Sequence, residues 1–224
     1  MTATPDISAR RIGQEREPLV IVDGFAPDPD ALRAAAAAAR FAPAGEHYPG
    51  VRAPLPADYL ASVRPVLATV LREVFGARAR LRVLDARFSL VTTPPDRLTL
   101  EQRLPHVDAL EPGRIALVHY LMPGGGDGTA FFRHRATGYE TLDATRAPRY
   151  QAMLAAELRA AAPAGYIAGD TALFERIAVV PAEDNRAVIY RSALFHSGAI
   201  SPGARLSADP RLGRLTVTAF LAAE

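Results

Sequence analysis

A mainly antiparallel β domain, supported by helices at its N-terminal end, is the fold class the sequence predicts. Three observations carry it. Helical apolar spacing is concentrated before Gly76, the runs after Gly76 are short and punctuated by Gly and Pro, and one further helical segment interrupts them near residues 146–161. The chain has 224 residues, 49% of them hydrophobic, so it can bury a large core, and β domains of this length are commonly single units. The expectation is one domain over 1–224, with helical support over about 1–76 and a β core over about 80–222.

Residues 18–23 read as a short buried strand ended by Gly24, Pro27 and Pro29. Residues 30–40 open on an acid, run through alanines and stop before Pro43, which predicts a helix. Between residues 57 and 75, Leu60, Val63, Leu67, Val70, Leu71 and Val74 repeat at helical spacing. Pro65 lies inside that run, so a kink or a start is expected there. Residues 80–91 alternate as a strand whose phase slips near Asp85, the mark of a bulge or break. Residues 114–122 form the clearest strand. The glycine-rich turn 123–128 and the run 129–135 then predict a hairpin. After the helix at 146–161 come strands at 174–181, 186–190 and 214–221.

Composition narrows the chemistry. There is no cysteine, which excludes disulfides, thiolate zinc sites and iron–sulfur clusters, so any metal ligand is His, Asp, Glu or backbone. A sequence pI near 9.2 accompanies a net charge of only +2. All 26 basic residues are arginines, interspersed with acids rather than gathered in a stripe, so no nucleic-acid partner is expected. Without lysine, a fixed cation gripping an anionic cosubstrate must be an arginine. The first residues lack a signal-like apolar run, and no run approaches the roughly twenty residues of a membrane span. The expectation is a soluble, cytoplasmic protein without a membrane partner.

His106-Val107-Asp108 is the most informative motif. In extended chain, residues i and i+2 share a face, so the imidazole and the carboxylate can grip one cation. A third ligand, His196, has to come from a distant segment; two imidazoles and a carboxylate with open positions opposite are the facial triad of non-haem Fe(II) oxygenases. By itself His-x-Asp is a weak motif, and a hydrogen-bonded surface pair is its plainer reading. In 214–221, Arg214, Thr216 and Thr218 share one face, which suits a carboxylate, and Tyr120 offers a phenolic donor. His119 points opposite Tyr120 and reads as a core or interface histidine. Arg133 and His134, in an aromatic and basic segment, read as a solvated strand end or a substrate-facing rim. Tyr48 and Arg52 line the entrance, with Arg52 gripping an anion, or belong to a plain turn.

Across these residues the chain resembles the 2-oxoglutarate/Fe(II)-dependent dioxygenase superfamily, specifically a bacterial group in its prolyl-4-hydroxylase-like branch. The likeness rests on His106-Val107-Asp108, the segment ending in Tyr120, the Gly124 to Phe132 turn, Tyr190 to Gly198 and Arg214-Leu215-Thr216. It implies a double-stranded β-helix, or jelly roll, with the N-terminal helices packed on its major sheet. It further implies Fe(II) on His106, Asp108 and His196, and 2-oxoglutarate with its distal carboxylate on Arg214, helped by Thr216 and Tyr120. Arg205 and Arg211 are weaker anchor candidates, because the 18 residues from His196 to Arg214 exceed the family's usual spacing. The implied reaction consumes O2, releases succinate and CO2, and hydroxylates a peptide, amino-acid or small polar substrate. Asp108 fills the position that halogenating relatives give to chloride, so hydroxylation is favoured. The alternatives are a catalytically silent jelly-roll module that binds a metal or ligand, and a cupin-like metal enzyme that does not use 2-oxoglutarate.

Overall fold

The structure is a computed structural model that describes residues 4–45, 47–77, 81–160 and 162–223. The expected strand opening at residue 80 and helix end at residue 161 lie outside the described residues. The chain begins with a hairpin of β1 (Asp6–Ile12) and β2 (Glu17–Asp23), followed by α1 (Pro29–Ala38). Asp28 caps that helix by accepting from the Ala31 N–H at 2.8 Å, and Pro29 occupies its first turn. Two short strands, β3 (Ala42–Pro43) and β4 (Gly50–Pro54), precede α2 (Tyr59–Glu73). α2 runs through Pro65 rather than starting there. Ala61 and Pro65 are both exposed, so the carbonyl that proline leaves without an N–H faces water.

β5 (Leu81–Val91) and α3 (Leu100–Arg103) lead to β6 (Arg114–Tyr120) and β7 (Gly126–His134). α4 (Ala147–Ala160), β8 (Phe174–Ala182), β9 (Ala187–Arg191), β10 (His196–Gly198) and β11 (Leu215–Ala223) complete the chain. Eight strands form an antiparallel sheet in the order β1-β2-β9-β6-β11-β5-β4-β3, and β10-β7-β8 form a second sheet. The fold is the expected jelly roll. The phase slip near Asp85 is a bulge: Phe220 pairs with Asp85 and Leu221 with Val83, which leaves Leu84 as the extra residue.

The expected hairpin between 114–122 and 129–135 does not form. Both edges of β6 are taken, by β9 and β11, and the glycine turn carries the chain across to the opposite sheet, where β7 pairs with β8 and β10. The crossing brings Phe131 edge-on to Tyr190 between the sheets, with ring centroids 5.0 Å apart. β1 carries no apolar alternation, since only its Ile12 is buried, and it joins the sheet edge mainly through backbone pairing.

Strand alternation divides the core into three layers. Outside the major sheet, Phe88, Leu90, Leu117, Val217 and Ala219 meet Val63, Leu67, Val70 and Leu71 of α2. Between the sheets lie Tyr120, Phe131, Val180, Val188, Tyr190 and Leu194. Outside the minor sheet, Phe132, Phe174 and Phe195 meet Tyr150 of α4. Glu140, fully buried, ties the β1–β2 turn to this framework by accepting from the Gln14 and Glu15 N–H groups at 2.9 Å and from Arg133. Gly13 permits that clamp: its φ is +65°, and a Cβ there would collide with the Glu140 carboxylate.

His119 is fully buried under α2. Its Nε2 donates to Asn185 Oδ1 at 3.0 Å and its Nδ1 accepts from the Tyr59 hydroxyl at 3.1 Å, the tautomer of a neutral ring. Burial, opposed by the Asn185 bond, lowers its pKa from 6.5 to about 4. Between those values the unfolded chain binds a proton that the folded chain refuses, so stability falls as pH drops from 6.5 toward 4. The loss reaches about 3 kcal/mol. Urea titrations across this range are expected to show a steeper pH dependence in the wild type than in His119→Gln. Glu140→Ala, which strips the half-buried Arg133 and the Gln14 and Glu15 N–H groups of their common acceptor, is expected to cost about 3 kcal/mol in the same assay.

Candidate metal centre

His106 lies outside any regular strand, yet its backbone is fixed. Its N–H donates to the His196 carbonyl and the His196 N–H donates back to the His106 carbonyl, both at 2.9 Å, in an isolated antiparallel bridge. Asp108 follows at a bend, where its N–H reaches the Ser192 carbonyl at 2.8 Å. Its carboxylate still comes to the same side as the His106 ring, as the i, i+2 spacing led one to expect. On its other side His196 pairs with Phe131 of β7, and the preceding Phe195 N–H donates to the Glu140 carbonyl at 2.8 Å.

The three side chains converge. His106, Asp108 and His196 each present one ligand atom, and these atoms lie within 4.8 Å of one another. His196 Nε2 is 3.4 Å from Asp108 Oδ2, and His106 Nε2 is 3.7 Å from Asp108 Oδ1. Those separations are long for an imidazole–carboxylate hydrogen bond, which argues against a merely structural pair. They suit a cation better, because bonds of about 2.1 Å put neighbouring ligand atoms about 3 Å apart, within an ångström of both distances to Asp108.

The proton positions also fit. His196 Nδ1 donates to the Leu194 carbonyl at 2.9 Å, which leaves the Nε2 lone pair facing Asp108, an outer bond typical of metal-ligating histidine. Burial first, then the neighbouring His196 ring, push His106 down to about 4 against the opposing pull of Asp108 and the Leu104 carbonyl. His106 lines the cavity with 55% of its side-chain area exposed, and a downward shift of any size favours its neutral form. At neutral pH His106 is therefore unprotonated, the form that binds metal.

The group opens onto a cavity of about 560 Å³ between the sheets, lined also by Tyr48, Arg52, Tyr166, Tyr190, Thr218 and Arg214. Arg214 is held in place by donating from Nε to the Asp127 carbonyl and from Nη2 to the Gly128 carbonyl, both at 2.8 Å, and its guanidinium lies 5.5 Å from the centre of the Tyr120 ring. Thr216 and Tyr120 are fully buried, and neither is on the cavity surface. Thr216 donates to the Ser89 carbonyl at 3.3 Å, and the Tyr120 hydroxyl pairs with that of Thr129 at 2.6 Å. Arg205 and Arg211 line a separate cavity along the 199–213 loop.

Arg133 and His134 correct the expectation of a substrate rim. Arg133 bonds Glu140 and Glu175, while His134 is fully buried between Thr137 and Glu157, against Tyr150 and Phe174. Neither reaches the cavity. Tyr190 and Tyr166, not singled out from the sequence as site residues, do line it. Tyr190 packs edge-on to His196 with centroids 4.8 Å apart, and burial followed by the Asp108 charge raises its pKa well above the ordinary phenol value. The aromatic residue six positions before His196, at the end of a fully apolar strand, was the available signal for it.

Two facing sheets with this trio at the mouth of the space between them define a jelly-roll protein with a candidate metal centre. The chain belongs to the family of unknown function DUF6445, whose pattern matches residues 3–221. None of the curated proteins matches it. Among solved structures it is similar to HygX from Streptomyces hygroscopicus with nickel, 2-oxoglutarate and hygromycin B bound. That likeness has a TM-score of 0.50 at 13% identity, over 91% of this chain and 82% of HygX. It is also similar to SnoN, a non-haem α-ketoglutarate-dependent epimerase from nogalamycin biosynthesis, at TM-score 0.47 and 15% identity over 93% of this chain and 79% of SnoN. AviO1 from Streptomyces viridochromogenes Tue57 gives 0.45 and 16% over 95% and 90%. At 13% identity the likeness to HygX shows the shared fold. Among the described residues no helix is long and apolar enough to cross a membrane.

The trio is expected to bind Ni(II), a redox-silent probe, at one site per chain in isothermal titration calorimetry. Asp108→Ala and His196→Ala are each expected to weaken that binding by at least about 100-fold. Unchanged affinity in both variants removes the trio as a metal site.

Proposed function

We propose that this protein is an Fe(II)- and 2-oxoglutarate-dependent dioxygenase, working as one domain over 1–224 in the cytoplasm, that hydroxylates a small polar, amino-acid or peptide substrate. The prolyl-4-hydroxylase-like placement is part of the same reading. The observation that carries it is the convergence of His106, Asp108 and His196 without mutual hydrogen bonds, each ligand held by backbone and His196 aimed by the Leu194 carbonyl. His106, Asp108 and His196 would hold the iron. Iron held there would couple the oxidative decarboxylation of 2-oxoglutarate by O2, to succinate and CO2, to oxidation of a substrate C–H bond.

The chain's own residues do the rest. Arg214 receives the distal carboxylate of 2-oxoglutarate, and its two bonds to the turn carbonyls orient the guanidinium before the ligand arrives. Tyr120 and Thr216 support that anchor from beneath, through the ring under the guanidinium and the bond across β5. Phe131, Tyr190 and Val188 close the floor between the sheets and limit water there.

Anaerobic addition of Fe(II) and 2-oxoglutarate is expected to give a visible metal-to-ligand charge-transfer band, and admission of O2 to give succinate. Arg214→Gln is expected to raise the 2-oxoglutarate midpoint of that band at least about tenfold, the loss of one charge-assisted pair. No band in the wild type overturns the proposal. An unchanged midpoint in the variant moves the anchor elsewhere.

A further inference from the structure

A second cation faces the same cavity from the opposite side. Register places Arg52 of β4 beside Ser89 of β5, Ser89 beside Thr216 of β11, and Thr216 beside Tyr120 of β6. These four residues form one polar row across the inner face of the major sheet, with Arg52 at one end and, beyond the other, Arg214 over Tyr120. The two arginines differ in what they already hold. Arg214 is bound to two backbone carbonyls. Arg52 lies 4.4 Å from the Tyr48 ring centre, and its Nε is buried with no hydrogen-bond partner among the described residues. The Tyr48 hydroxyl is likewise buried, and among the described residues the only side chain placed to bond it is Ser89, already paired with Thr218 at 2.8 Å. Asp85 is 3.9 Å from Arg52 Nη1, at the limit of an ion pair, and it is engaged by Arg87 at 3.1 Å.

Buried donors of this kind are costly unless a ligand satisfies them. The charge balance says what that ligand carries. Among the described lining residues, Arg52, Arg103 and Arg214 stand against Glu101 and Asp108, a surplus of one positive charge. A divalent cation and a dianionic cosubstrate cancel each other and leave that surplus in place. Asp85 beside Arg52 disfavours a group with two charges. From these observations we infer that Arg52 and Tyr48 form a subsite for a single carboxylate of the prime substrate, so that the substrate class is a small carboxylic acid. Assigning Arg214 to the cosubstrate rests on the reading above; the subsite itself rests on the unpartnered Arg52 Nε, the buried Tyr48 hydroxyl and the surplus charge.

The test uses hippurate and acetate with their neutral amides, hippuramide and acetamide, and inorganic phosphate. Binding is measured by calorimetry, both in metal-free protein and in the anaerobic Fe(II)–2-oxoglutarate form. The wild type is expected to bind the carboxylates at least about tenfold tighter than the amides and tighter than phosphate. In Arg52→Gln that preference is expected to fall to within about twofold, while the 2-oxoglutarate midpoint of the charge-transfer band stays within about twofold of wild type. Tyr48→Phe, which keeps the ring under Arg52, is expected to lose about threefold in carboxylate binding, and it decides the matter should Arg52→Gln not fold. The inference is overturned by a wild type without carboxylate preference, by a preference that survives both variants, or by tighter binding of phosphate. It is also overturned if Arg52→Gln raises the 2-oxoglutarate midpoint about tenfold, because Arg52 is then the cosubstrate's own anchor. Absence of the charge-transfer band defeats the dioxygenase reading alone; the metal-free carboxylate comparison still decides the subsite.

Discussion

The reciprocal pair of backbone hydrogen bonds between His106 and His196 is the constraint on which the rest of the site depends. Metal ligands must be held to within a few tenths of an ångström, and His106 sits in a segment with no regular strand to hold it. Pairing with a residue ninety positions later ties that segment to the edge of the minor sheet through one bridge. His196 is then fixed from both sides, by His106 on one edge and Phe131 on the other. Asp108 is held next to it by its own N–H, which bonds the Ser192 carbonyl at a bend. Replacing either imidazole leaves this backbone pair intact, whereas shifting its register by one residue turns His106 away from His196.

The major sheet serves two environments with one alternation. Its outward residues, such as Phe88, Leu117 and Val217, are buried against the helices, and its inward residues, Arg52, Ser89, Thr216 and Thr218, form a polar wall. A polar interior is tolerable only when its groups are bonded to one another, and most are: Ser89 to Thr218 at 2.8 Å, Thr216 to the Ser89 carbonyl, Tyr120 to Thr129. Arg52 and Tyr48 stand out against that background. The absence of lysine matters here, since a planar guanidinium can lie over a phenol ring and still present a fork of donors, which a flexible ammonium cannot do equally well.

Segments with strong periodicity were legible in the sequence: the strand at 18–23, both early helices, the helix at 146–161 and the last four long strands all form close to where they were expected. The bulge near Asp85 was readable too, because a phase slip in alternation has one structural meaning. β1 escaped because an edge strand held by backbone bonds needs no apolar side chains, and β10 because three residues are too few to show a period. The false hairpin came from reading a glycine turn between two strands as local pairing, when the partners of β6 were distant strands already filling both its edges. Arg133 and His134 illustrate a different limit. Adjacent strand residues point to opposite faces, so both could not serve one cavity, and their actual partners, Glu140 and Glu157, lie in segments whose position only tertiary packing sets.

Burial determines which groups set the charge of the cavity. It raises the pKa of Tyr48, Tyr166 and Tyr190, against the lowering pull of nearby Arg214, so these three phenols remain neutral across the physiological range. They contribute ring surface and O–H groups but no negative charge that could satisfy the arginines. Unbound, the cavity therefore keeps guanidinium charges in a low-dielectric space, with Asp108 committed to the histidine side. A site built this way is stabilised by filling it, because each anion that enters replaces lost solvation of a cation already in place. The same arrangement disfavours neutral ligands that leave the guanidinium unpaired, so selectivity follows from the sheet's polar row rather than from the metal.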